Sequence, residues 1–212
     1  MLRLLTLALF SAALLTSCVN SDRSTSSGDA EKPNPVAPMP AEDEPTGEIT
    51  NENYTLKVTD ATQKSPRKEL TGKVNGVDVT IDYGSPAVND RVIFGDLVPY
   101  GKVWRTGANE ATRITFTEDV VVGKEAKPLS AGTYSLFTLP ADKNQWTVIF
   151  NRDAEQWGAY DYKDERDAAR VTGMAAPLQN AAERMDFATD QESVKFMWSD
   201  VMVSFPVAKA SR

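Results

Sequence analysis

The chain has 212 residues, with 23 Lys plus Arg against 30 Asp plus Glu, one cysteine and no histidine. Without histidine there is no imidazole base, no Ser-His or Cys-His nucleophile and no imidazole-bound metal; one cysteine allows neither an intrachain disulfide nor a thiolate cage. A formal charge of −7 argues against nucleic acid as a partner, because sequence-independent binding there needs a basic face that releases counterions.

Residues 1–17 read as a signal peptide. Arg3 supplies a positive start, and the apolar run from Leu4 to Leu15 is shorter than the roughly 20 residues a spanning helix needs. The run ends in Leu15-Thr16-Ser17-Cys18, which resembles the lipobox of bacterial lipoproteins. That resemblance implies acylation of Cys18, a bilayer as partner, and a place in the bacterial cell envelope, on the outer membrane or the periplasmic face. Residues 18–48 read as a disordered tether, with Pro33, Pro35, Pro38, Pro40 and Pro45 set among Ser, Asp and Glu and little that is apolar to bury. Three basic and seven acidic side chains fall within residues 1–48, which leaves 20 against 23 beyond them, a net charge of −3. Most of the acidity belongs to the tether.

From residue 49 to 212 the dominant period is two, which predicts one all-β domain: an antiparallel β-sandwich or jelly roll with a long ordered loop and little helix. Strands are expected at 54–58, 69–74, 77–83, 112–117, 120–122, 133–139, 146–150, 168–172, 185–189, 194–198 and 201–207. Asn75-Gly76 is the strongest hairpin signal, because both residues accept the positive φ of a type I′ turn. Single helical turns are expected at 93–98 and 164–169.

Between Asp90 and Glu110 the strand rhythm stops. About twenty residues without a period are uncommon in a compact domain unless they form an ordered excursion or carry function. Residues 91–116, 129–140, 146–151 and 156–160, above all the run Gly-Lys-Val-Trp-Arg-Thr-Gly-Ala-Asn-Glu-Ala-Thr at 101–112, closely resemble the bacterial family known as domain of unknown function 2911. The resemblance spans about 65–206 and departs at Glu125-Ala126-Lys127 and at 172–182. It implies a secreted or lipid-anchored protein and carries no catalytic role.

The candidate ligand site comprises Arg91, Trp104, Arg105, Asn109, Glu110, Tyr134, Asn151 and Trp157, with Tyr100 and Tyr160 as further walls. Guanidinium, carboxylate and amide groups framed by aromatic faces suit a small polar or saccharide-like ligand. The plainer alternative makes Arg105–Glu110 an ion pair that pins the loop, with the tryptophans filling the core. A hydrolase would need two carboxyl groups across a cleft, and Glu110, Asp153, Glu155, Asp161 and Asp164 qualify by type without any spacing that singles out a pair. The alternation Asn151-x-Asp153-x-Glu155 has the oxygen ligands of a calcium loop but lacks its glycine. No cofactor and no resident metal are expected. A non-catalytic binding module is the preferred reading, ahead of a carboxylate-based hydrolase and a purely structural envelope protein.

Overall fold

The computed structural model describes residues 47–211. The signal peptide, Cys18 and nearly all of the tether lie outside the described residues. The described segment forms eleven strands: β1 (Glu48–Thr50), β2 (Tyr54–Asp60), β3 (Arg67–Val74), β4 (Val77–Gly84), β5 (Thr112–Phe116), β6 (Val120–Val122), β7 (Lys127–Leu129), β8 (Gly132–Pro140), β9 (Gln145–Asn151), β10 (Asp167–Thr189) and β11 (Ser193–Lys209). All pairings are antiparallel, in the order β1-β2-β3-β4-β5-β8-β9-β10-β11-β6-β7, and the sheet does not close into a barrel. The long β10–β11 hairpin bends so that its far half packs on β3 and β4, and the sheet thereby encloses its own core.

Alternation sorts the side chains. In β4, Val79, Ile81 and Tyr83 are buried while Asp78, Thr80 and Asp82 point outward; in β5, Ile114 is buried and Arg113 faces out. The main core carries Phe116, Phe150, Phe187, Phe196, Phe205 and Trp198, and each fully buried aromatic of this kind contributes roughly 1.5–3 kcal/mol relative to exposure. Phe137 and Ile149 project from the opposite face of β8 and β9. There Ala111, Ala159 and Tyr162 cover them in a second, smaller cluster.

The turn at Asn75-Gly76 takes φ of 47° and 80°, as the type I′ geometry requires. Elsewhere the structure corrects local expectations. Residues 168–172 and 185–189 are parts of one 23-residue strand, and 194–198 and 201–207 parts of another of 17. Register shifts around Ala182, and a left-handed Ser199 (φ 54°) in the partner strand, absorb the irregularity that reads locally as strand breaks. Residues 93–98 form no helix, because Gly95 at φ 97° turns the chain and Val98 donates back to the Ile93 carbonyl. The helical turn expected at 164–169 is a single 3-10 turn at Asp164–Arg166, and Asp167 already belongs to β10. Strand β1 begins at Glu48, one residue inside the stretch read as tether.

The Asp90–Glu110 excursion is ordered. Ile93, Phe94, Val98 and Trp104 plug one end of the core, where Trp104 stacks on Trp198 at 5.6 Å and Phe94 meets Trp146 edge-on at 5.0 Å.

Candidate functional site

Outward-facing residues of β3, β4 and β5 lay the floor of a cleft of about 480 Å³. Register puts Asp82 opposite Arg113, with Arg67 at the start of the neighbouring strand. The Asp82 carboxylate accepts from both guanidinium groups: Arg67 Nε binds one oxygen and Arg113 Nη2 the other. Arg67 reaches on to Glu110 at 3.3 Å, and Arg113 to Glu155 at 2.9 Å. Hydrogen bonding to Asp82, ahead of the charge of Glu155, raises the Arg113 pKa, so this guanidinium stays charged. The chain of alternating charges runs Glu110, Arg67, Asp82, Arg113, Glu155. It leaves every member oriented by a neighbour.

The walls come from two segments held side by side. Ala111 donates to the Gln156 carbonyl and Gly158 to the Asn109 carbonyl, which lines residues 109–111 against 156–158. Trp157 stands at this seam with 58% of its surface exposed and lines the cleft with Gln156, Ala154 and Ala111. Opposite, Gln63 accepts from Asn109 at 2.6 Å and donates to Asp60 at 3.2 Å. Hydrogen bonds from the Thr62 hydroxyl, then the Thr62 backbone, then Gln63 lower the Asp60 pKa.

Two glycines let the loop approach the end of β4. A Cβ on Gly84 would lie 2.3 Å from the Ala108 carbonyl oxygen, and one on Gly107 would lie 3.0 Å from the Gly84 carbonyl oxygen. Ala108 therefore approaches the end of β4 closely enough to donate to the Gly84 carbonyl at 3.2 Å, which places Asn109 and Glu110 over the floor.

Of the residues read as a site from sequence, Glu110 and Trp157 line the cleft and Asn109 braces its rim through Gln63. The others lie elsewhere, each for a reason. Arg91 donates to the Val88 and Ala87 carbonyls and braces its own loop. Trp104 belongs to the core. Arg105 makes no ion pair with Glu110; it runs half-buried beneath Gly158, its Nε without a hydrogen-bond partner, and burial lowers its pKa against an opposing contribution from Tyr160. Tyr134 lines a separate hollow of about 320 Å³ with Ser130 and Arg152, where its hydroxyl donates to the Ser130 carbonyl.

Asn151 is fully buried and clamps the covering segment: its amide donates to the Lys163 carbonyl and to Asp167, and its oxygen accepts from Asp153 N and Gln156 Nε2. Of the acids considered for a calcium loop, Asp153 pairs with Arg166 and Glu155 with Arg113. Among the described residues no group of three metal-ligating side chains is assembled. Among the five acids considered for hydrolysis, Glu110 and Glu155 line the cleft, and both are engaged by guanidinium groups.

A family model described as protein of unknown function (DUF2911) matches residues 65–207. The chain belongs to the DUF2911 family. No curated protein and no solved structure matches it. The DUF2911 match spans the strands β3 to β5 that carry Arg67, Asp82 and Arg113, and also Glu110 and Trp157; Asp60 and Gln63 precede it.

Proposed function

We propose that this protein is a lipid-anchored component of a bacterial cell envelope whose β-domain binds a small polar, saccharide-like ligand without transforming it. The observation that carries the binding reading is the half-exposed Trp157 indole beside a cleft floored by the fixed Arg67–Asp82–Arg113 network. An indole face accepts the apolar face of a sugar ring, while carboxylate and amide groups take its hydroxyls. The volume, about 480 Å³, lies within the usual range for small-molecule sites. Four lining carboxylates (Asp60, Asp82, Glu110, Glu155) against two guanidinium groups disfavour an anion and favour a neutral or amine-bearing sugar.

The deciding experiment is a thermal-shift screen of the protein against neutral sugars, amino sugars, peptidoglycan fragments and small acids. A ligand at 100-fold its Kd stabilises by about 2.7 kcal/mol, an upward Tm shift of several degrees. We expect a neutral or amino sugar to raise Tm in the native protein and to lose that effect in Trp157→Ala. Silence across all sugars, or shifts with small acids alone, would reject the assignment.

The anchor rests on Leu15-Thr16-Ser17-Cys18. Among the described residues no helix is long and apolar enough to cross a membrane. Replacing Cys18 with Ser should move the protein from the membrane fraction to the soluble one; unchanged fractionation would remove the lipid anchor from the proposal.

A further inference from the structure

A second constellation lies inside the core, independent of the cleft. Lys68 is fully buried and Asp186 is 3% exposed, two charged side chains withdrawn from solvent. Lys68 sits at an inward position of β3, directly opposite Tyr83 of β4. Asp186 reaches the same point from β10, 118 residues along the chain. Lys68 Nζ lies 2.9 Å from Asp186 Oδ1 and 3.3 Å from Oδ2. The Tyr83 hydroxyl donates to Oδ1 at 2.8 Å and accepts from the Phe187 N–H at 3.3 Å, so its proton is directed at the carboxylate. The tyrosine ring is itself held edge-on against Phe187 at 4.8 Å.

We propose that Lys68 and Asp186 join spontaneously in the folded protein as an intramolecular isopeptide bond. The ion pair already holds the Lys68 amine against the Asp186 carboxyl group with the translational cost prepaid by folding, and burial of both groups favours the neutral product over two charges. The Lys68 ammonium passes one proton to Oδ2. The freed lone pair attacks Cγ, and the oxygen that develops charge, Oδ1, is the one that Tyr83 already holds. Collapse breaks the Cγ–Oδ2 bond, and that oxygen leaves as water with the proton received and a second one from Nζ. The sum is ammonium plus carboxylate to amide plus water, with no oxidant, cofactor or co-reactant. Tyr83 acts here as a positioning and oxyanion-stabilising residue, and the bond ties β3 to β10 across the core.

Tryptic digestion of the full chain with mass spectrometry tests this directly. Cleavage at Arg67, Lys73, Arg184 and Lys195 should release residues 68–73 joined to 185–195, one water lighter than the two peptides together, with Lys68 resistant to trypsin. Lys68→Arg, which keeps the charge and removes the amine, should yield 185–195 as a linear peptide. Asp186→Asn should restore the same linked product by losing ammonia instead of water, and Tyr83→Phe should slow its appearance after folding. A digest of the native, folded protein that contains only the linear 185–195 peptide overturns the proposal, whether or not any variant folds.

Discussion

Asn151 and Trp157 stand six positions apart, yet their substitutions should separate stability from binding. The Asn151 side chain is fully buried and serves two donors and two acceptors, so its truncation to Ala leaves buried polar groups unpaired. That loss should cost about 1–3 kcal/mol, read as a lower urea midpoint at unchanged slope. Trp157 is exposed over more than half its surface, so Trp157→Ala should shift stability by no more than about 0.5 kcal/mol while removing the sugar-dependent rise in Tm. Both residues look alike in the sequence, polar or aromatic groups near a strand end. What separates them is which face of the covering segment each occupies, and that depends on strand pairings distant in the chain.

At the scale of the element, much was legible where the signal was local. Asn75-Gly76 set a two-residue turn and the alternation on both sides of it marked β3 and β4, because turn chemistry and side-chain parity act over a few residues. The long β10 and β11 look like fragments in the sequence, because Gly173, Pro177 and Ser199 resemble breaks, whereas Gly173 and Pro177 stay paired in the sheet and the register shifts near Ala182 accommodate Ser199. The glycines flanking the cleft were equally silent. Gly84 closes a strand and Gly107 sits in a loop, and their purpose shows only when Ala108 is seen against β4. Gly84→Ala sets a methyl group against a backbone carbonyl that cannot swing aside, and should cost about 1–3 kcal/mol. Because Glu110 moves with Ala108, the same variant should also weaken sugar binding in titration calorimetry, whereas a surface alanine change would do neither.

Across the whole molecule, the residues that meet are far apart in sequence: Arg67 with Asp82 and Glu110, Arg113 with Glu155, Lys68 with Asp186. Such groupings follow from strand order, which periodicity does not reveal. Glu110 ends the segment where the rhythm stops and Trp157 is an aromatic group near a strand end, whereas Arg67, Asp82 and Arg113 sit at ordinary outward positions of regular strands. The sheet makes one strand serve two surfaces, since Ile81 and Tyr83 of β4 face the core while Asp82 between them faces the cleft. Loss or gain of a single residue within β4 would exchange those faces at once, turning a carboxylate into the core and an isoleucine into the cleft. In descent, therefore, the cleft can change its ligand by substitution at outward positions but not by insertion or deletion in the strand, and length variation should collect in the hairpin tips instead.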